Sequence, residues 1–553
     1  MAAIRRALAA FRAAMANGGI RRLELGWMLG TAGDAALLVA LLVVAFDRGG
    51  IVATGLLGAF RMAPAIVSGA ASGAAMRRWS GRGVLLAVAI LRTAVALLTV
   101  GAIAVAAPIE LLYVVAALAG GVGAIVRPIQ ATLMPAVART PEELVAANVA
   151  WGTVEGLGSL AGPALAAALI AAGRLEAVPA AAAVAFGLTV IVIAGLRFEQ
   201  ASDAVAGGAS MHGVQLVEGL RVLRRRTIAR WSTIGVLAQT MTRGLLNAIV
   251  VVASVELLGL GDPGVGTLNA AMGLGGLFGG LFAMSVVRPA NLLSAQSVSL
   301  AFWGLPIAVL GLLPEPAIGI AVMAVIGIAN AAFDASVLTI FQRACANEER
   351  GPVFAVFEAA AGVGVVLGSL LAPVLLDVFG HRGGIVVAGS ILPIVAVVVF
   401  IRIGRLPHVA TIDEGVVALL RRVPAFDALP LTGIERLAGA AGTERHAAGA
   451  VLMRQGDAGD RFVVVARGEV DVRVDGQVVE RLGPGAGIGE VALLRSTART
   501  ATVTAITEVD LVTIASPDFC AAVSGPAALS LMERVVRERL GRAGHRADPG
   551  PAA

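Results

Sequence analysis

The sequence predicts an all-α membrane bundle of twelve transmembrane helices in two six-helix halves, followed by a small α+β domain. Three observations predict it. Composition is 58% hydrophobic and only 14% charged over 553 residues, far from the soluble norm. The apolar content is concentrated before residue 405, in runs of about 20 residues or more that suit a hydrocarbon core about 30 Å thick. Beyond that point charge returns, and short alternating segments with tight-turn residues replace the long runs.

The chain opens on a basic segment over 1–22, amphipathic from Arg5 to Arg22. No small-residue cleavage site follows it, so a removable signal peptide is not expected. The first half, 23–197, carries apolar runs at 23–46, 51–75, 83–106, 109–134, 146–172 and 178–197. A polar central loop, 198–230, bears Arg221, Arg224, Arg225, Arg226 and Arg230. The second half, 231–404, carries runs at 231–257, 265–287, 291–313, 316–343, 352–377 and 383–403. A linker over 405–423, the α+β domain over 424–542 and a tail over 543–553 complete the chain. An even number of spans puts both termini on one side. Taking the loops alternately, most arginines fall on that side and only Arg48, Arg174 and Arg382 on the other. Positive charge marks the cytoplasmic face. The expectation is a multi-pass protein of the inner (plasma) membrane with both termini in the cytoplasm.

Composition also excludes classes of function. The net charge of +6 rests on arginine alone, and a basic membrane protein needs no nucleic-acid partner to explain it. Cys345 and Cys520 are far apart and both map to the cytoplasmic side, so neither a disulfide nor a metal site is expected. His212, His381, His408, His446 and His545 show no metal-ligand spacing, and no nucleophile–base constellation stands out. No catalytic residue, metal or cofactor is expected, and the chain does not read as an enzyme.

One stretch in the α+β region carries chemistry. Residues 488–503 read IGEVALLRSTARTATV. Gly489 lets backbone approach a ligand with no Cβ in the way. Glu490 can accept hydrogen bonds from a sugar hydroxyl. Val491 and Ala492 open a helical turn whose free amides suit a phosphate. Arg499 can fork onto that phosphate and neutralise it. This stretch closely resembles the phosphate-binding cassette of the cyclic nucleotide-binding domain family. Val423–Pro430 is similar to that family's entry helix, Gln455–Asp460 with Arg461–Val465 to its first β-roll turn and strand, and Gly468–Val472 with Asp475-Gly476 to the next strand and hairpin. The resemblance covers about 120 residues. It implies a β-roll with flanking helices and a site formed by Gly489, Glu490, Val491, Ala492, Arg499, Thr500 and Ala501. Ile488 stands where Phe is common and Ala498 where Pro is usual, neither being a ligand-contacting side chain. Thr500 alone does not separate cyclic AMP from cyclic GMP; the bacterial-looking, lysine-free composition tips the expectation to cyclic AMP.

Six plus six spans around a long basic loop resemble the major facilitator superfamily over roughly 20–405. Gly158-Ser159-Leu160-Ala161-Gly162-Pro163 in span five is similar to the motif of its drug-exporting antiporters, and ordinary helix packing explains the same residues equally well. Gly73–Arg82 matches the superfamily's loop signature only in part, because Arg77 replaces the usual acid.

Ionisable groups inside spans are costly and default to function. Asp34 in span one and Arg127 in span four are matched, with opposite signs, by Arg243 in span seven and Asp334 in span ten. Glu155 in span five and Glu358 in span eleven form another matched pair. Parallel repeats place such residues correspondingly. The expected pairs are Asp34 with Arg243 and Arg127 with Asp334, the alternative being pairs within one half such as Arg127 with Glu155. Arg61 and Arg92 also lie within spans and receive no role. The favoured reading is a secondary transporter, a proton-coupled exporter of a small apolar or drug-type molecule, regulated by a cyclic nucleotide bound to its cytoplasmic C-terminal domain. Its partners would be the lipid bilayer, the nucleotide and an unidentified substrate. The alternatives are a membrane-tethered nucleotide receptor without transport and a constitutive transporter with a silent nucleotide domain.

Overall fold

The computed structural model describes residues 15–66, 75–76, 78–138, 141–196, 212–286, 292–345, 347–404, 414–427, 429, 431–495 and 497–523, with four further positions between 530 and 537. Arg77, most of the central loop and most of the stretch after Pro526 lie outside the described residues. The described residues up to Gly404 belong to one compact unit and those from Glu414 onward to a second.

The first unit is helical throughout: α1 (Gly18–Met62), α2 (Gly81–Ala104), α3 (Ile109–Ala124), α4 (Val126–Val137), α5 (Pro141–Ala171), α6 (Ala177–Ala194), α7 (His212–Arg225), α8 (Thr227–Val252), α9 (Gly261–Val286), α10 (Leu292–Leu312), α11 (Pro316–Ala344) and α12 (Asn347–Gly404). Among the described residues, nine helical stretches are long and apolar enough to cross a membrane. Two of the long helices are each two helices joined at a kink, α1 at Gly49–Gly50 and α12 at Gly380. The run at 109–134 divides into α3 and α4 at Ile125. Pro128 explains the break: it has no N–H to give, and its ring crowds the carbonyl of Ala124.

Polar contacts tie the helix ends into two groups. At one end Asn17 caps α1, accepting from Gly19 N at 3.0 Å, and its amide donates to Val137 O at 3.1 Å and Glu143 at 2.9 Å. Arg22 donates to Gly195 O, Arg82 to Ala194 O, and Arg226 pairs with Glu349 at the same end. At the opposite end Arg48 donates to Ala107 O, Arg382 to Leu312 O at 2.8 Å, and His381 meets Glu256. Successive crossings produce this alternation.

Lipid gives little hydrophobic drive for helix association, so close backbone approach has to supply it. Span five is where this is clearest. A Cβ at Gly158 would lie 2.8 Å from Met28 O, and one at Gly162 would collide with the Ala32 backbone of α1. On its other side α5 meets α9: a Cβ at Gly266 would lie 2.6 Å from Pro163 O, and one at Gly273 2.5 Å from Ser159 O. The Gly158–Pro163 segment is therefore the junction of three helices, and its small residues are needed for packing.

The second unit is a roll of two four-stranded antiparallel sheets, built from β1 (Gly442–His446), β2 (Val451–Met453), β3 (Arg461–Arg467), β4 (Val470–Val474), β5 (Gln477–Leu482), β6 (Gly487–Ile488), β7 (Thr502–Ala505) and β8 (Val509–Ala515). The sheet orders are β1-β8-β3-β6 and β2-β7-β4-β5. Asp475 and Gly476, with φ of 51° and 84°, make the two-residue turn between β4 and β5, the mirror-image turn that matches strand twist. Strand β3 has two buried faces. Val463 and Val465 fill the roll with Met453, Val470, Ile488 and Val503, whereas Phe462 and Val464 face the helices.

Those helices are α13 (Glu414–Leu420), α14 (Leu431–Ala440), α15 (Glu490–Arg495) and α16 (Ser516–Val523). Phe426, Phe462 and Phe519 form their aromatic centre, with Phe462 stacked on Phe519 at 4.6 Å. Full burial of such a ring contributes on the order of 2–3 kcal/mol. Two expectations need correction. The segment expected as linker contains α13, whose Val416 and Leu420 are buried in this cluster. The expected entry helix over Val423–Pro430 is a single 3₁₀ turn, Pro424–Phe426, since prolines at both ends of the stretch deprive it of helical donors.

Candidate functional site

The cassette lies between β6 and β7. Gly489 follows β6 with φ +102°, a region closed to most side chains. A Cβ there would also lie 2.5 Å from Arg499 Nη1 and 3.1 Å from Arg461 O, so glycine is required on both counts. Glu490 begins α15 and is 2% exposed; Val491 and Ala492 are buried beside it. The first amides of any helix have no intrahelical acceptor and remain available to a ligand.

Arg499 is 5% exposed and held from several directions. Its Nη1 donates to Gly489 O at 3.3 Å, and its Nη2 to Arg461 O at 2.8 Å and Asp460 Oδ1 at 3.0 Å. Its backbone N–H donates to Asp457 O at 2.7 Å, and its carbonyl accepts from Gly456 N at 2.9 Å. The turn over 455–460 thus clamps the arginine, a role the sequence reading did not give it. Three of about five guanidinium N–H groups are engaged, which leaves donors for an anion. Its one carboxylate partner, Asp460, is 74% exposed and so offsets little of the buried charge. Thr500 is exposed and Ala501 half-buried at the same edge. Ile488 is buried in the roll and Ala498 is exposed, away from the cassette's buried pair. Chemically, the arrangement can hold a phosphate against Arg499 and a sugar hydroxyl against Glu490.

The membrane unit has a second constellation. Asp334 lies within electrostatic reach of Arg243 (α8), Arg127 (α4) and Glu155 (α5), and Glu358 (α12) within reach of Arg127. Arg61 of α1 is within reach of Arg243. Arg127, Arg243, Asp334 and Glu358 are all solvent-exposed although they come from different spans, so they line a common water-accessible cavity. Asn330, one turn before Asp334, donates to its Oδ2 at 2.9 Å and accepts at Oδ1 from Gln239 Nε2 and from Trp303 Nε1, both at 3.1 Å. Trp303 and Gln239 are buried. This network fixes Asp334 from α8 and α10, and sequence reasoning missed it.

Five of the six expected charged residues are thus brought together, and Asp34 is not among them. Its carboxylate pairs with Arg92 of α2, whose guanidinium also lies over Phe186 of α6 at 4.8 Å. The expected Asp34–Arg243 pair is absent, and Asp334 forms no direct ion pair with Arg127 among the described residues. Both partners of the Asp34–Arg92 pair come from the first half.

The comparisons with known proteins bear on both units. A family model described as Major Facilitator Superfamily matches residues 25–344 and 295–437, and one described as Cyclic nucleotide-binding domain matches 443–524. The chain is 36% identical over 125 residues to a cAMP-dependent protein kinase regulatory subunit of Schizosaccharomyces pombe, covering 22% of this chain and 30% of that protein. It is 37% identical over 128 residues to a cyclic nucleotide-gated potassium channel of Mesorhizobium japonicum, covering 23% and 35% respectively. The chain thus spans about a third of the length of these relatives. Among solved structures, the nucleoside transporter NupG superposes with a TM-score of 0.59 at 12% identity, over 69% of this chain and 99% of that one. At that identity the likeness shows the fold alone.

Proposed function

The chain belongs to the Major Facilitator Superfamily and carries a C-terminal cyclic nucleotide-binding domain, and from that premise we propose that it is a secondary transporter whose conformational equilibrium is set by a cyclic nucleotide. The observation that carries the regulatory half is Arg499: a guanidinium buried to 5% exposure, with spare donors and only an exposed carboxylate as counter-ion. A roll kept for assembly alone has no use for that charge. The cyclic nucleotide would place its phosphate on Arg499 and its ribose hydroxyl on Glu490, with Gly489, Val491, Ala492, Thr500 and Ala501 around them. Cyclic AMP is the preferred ligand in this reading.

The bundle is read as twelve spans in two halves. Counting α1 and α12 as two helices each and adding α9 to the apolar stretches supports that number. The arginine distribution supports an inner-membrane protein with both termini cytoplasmic. Arg61, Arg127 and Arg243 facing Asp334, Glu155 and Glu358 favour a charged or zwitterionic small molecule over an apolar one as the transported substrate. Export rests on the Gly162-Pro163 motif, whose packing role is fully accounted for by α1 and α9. Proton coupling through an Asp34–Arg243 exchange is withdrawn, since Asp34 is engaged by Arg92 within one half. Rocking of the two halves would leave that pair intact, whereas it would change what Asp334 faces.

A nucleotide can bias transport only by binding one conformation more tightly than another. Calorimetric titration of the intact protein with cyclic AMP and cyclic GMP tests the ligand. Absence of binding to either would leave a constitutive transporter with a silent roll.

A further inference from the structure

Glu24 was not marked by the sequence reading, because it follows directly on the basic segment that ends at Arg22. It lies two turns into the bundle from the Asn17 cap, at the end closed by Asn17, Arg22 and Gly195. It is 1% exposed, and neither carboxylate oxygen has a hydrogen-bond partner among the described residues. Ile20 and Leu23 beside it are equally buried. Glu24, Met28 and Thr31 share one face of α1, and Glu155, Gly158 and Gly162 one face of α5. Those faces are in contact where Gly158 meets Met28 and Thr31, so Glu155 is the charged group that acts on Glu24 from a packed element. The nearby arginines are committed elsewhere, Arg22 to Gly195 O and Arg92 to Asp34. Glu155 in turn acts on Asp334, which Arg243 and Arg127 face. Three carboxylates therefore run from α1 through α5 to α11, from the sealed end into the charged cavity and from one half to the other.

An ionised carboxylate enclosed without cation or donor costs several kcal/mol, and a second carboxylate alongside adds to that cost. Such a group takes up a proton instead. Asp34 is the contrast, since Arg92 holds it ionised.

We propose that Glu24 is the proton-binding carboxylate of the transport cycle, protonated while the end at Asn17 is sealed and deprotonated when that end opens. The proton leaves the Glu24 carboxyl for incoming water or for the Glu155 carboxylate, and either way the charge left on Glu24 is hydrated. This rests on the transport reading and adds to it the residue that couples.

The test uses the full-length protein in lipid nanodiscs with no substrate or nucleotide, so its outcome is independent of flux. At neutral pH the infrared spectrum should contain a protonated-carboxyl band that Glu24→Gln removes and Asp34→Asn leaves. Glu24→Asp should shift the band without abolishing it. Hydrogen exchange over residues 15–30 should accelerate with rising pH beyond the intrinsic base-catalysed rate, as ionised Glu24 opens the sealed end, and Glu24→Gln should remove that excess. A wild-type protein with no protonated-carboxyl band at neutral pH overturns the proposal, whether or not Glu24→Gln folds. So does a folded Glu24→Gln that keeps both the band and the excess pH dependence.

Discussion

Arg499→Ala should weaken cyclic nucleotide binding severely while leaving the roll folded. The guanidinium is 5% exposed, so a phosphate meeting it is largely withdrawn from water. Truncating one partner of such a desolvated charged pair costs about 2–5 kcal/mol. At about 1.4 kcal/mol per tenfold, Kd should rise by roughly 1.5 to 3.5 orders of magnitude. The same substitution deletes the bonds to Gly489 O, Arg461 O and Asp460. A typical net contribution is about 1 kcal/mol for each carbonyl contact and less for the exposed Asp460 pair, so the domain should lose about 2 kcal/mol of stability. Arg499→Lys separates the two effects: it keeps the charge, loses the fork, and should fall between wild type and Ala. Glu490→Ala should lose about tenfold or less, because its partner is a neutral hydroxyl. The assay is calorimetric titration of intact protein with cyclic AMP, beside a thermal melt of each variant. A folded Arg499→Ala that binds with wild-type Kd would refute the assignment of the cassette.

Three further outcomes are expected. Gly489→Ala should weaken nucleotide binding by more than about tenfold in the same titration, since its Cβ would displace Arg499 and its φ of +102° disfavours any side chain. Asp34→Asn should lower thermal stability in detergent by about 3 kcal/mol by stranding buried Arg92, and the double variant Asp34→Asn, Arg92→Gln should recover much of it; full stability of the single variant would contradict the pair. Cyclic AMP should bind more tightly than cyclic GMP, and a tenfold preference for cyclic GMP would reverse that expectation.

Period and punctuation made much of this molecule legible. Long apolar runs gave the helices, and Asp475-Gly476 gave the β4–β5 turn because that turn needs positive φ at both positions. The cassette was readable because its chemistry lies in sixteen consecutive residues, which bring Gly489 and Arg499 together locally. Partners across helices were not readable. Sequence reports depth along a span but not which way its side chains point, so Asp34 was matched to Arg243 by symmetry while Arg92 stood at hand on α2. The Asn330 network joins α8, α10 and α11 through groups that look unremarkable singly. Glu24 was hidden by its neighbours, since a carboxylate after two arginines reads as an interfacial residue until its burial is known. Helix α13 was lost to the linker because seven residues are too short for periodicity to register.

The central claim is that nucleotide binding to the roll changes the conformation of the helical unit. Spin labels at Trp79→Cys and Arg225→Cys, both at exposed positions, would report the separation of helix ends in the intact protein once Cys345 and Cys520 are replaced by alanine. The account predicts that saturating cyclic AMP shifts the distance distribution and that Arg499→Ala abolishes the shift. Cyclic AMP that binds by calorimetry yet leaves the distribution unchanged would contradict it.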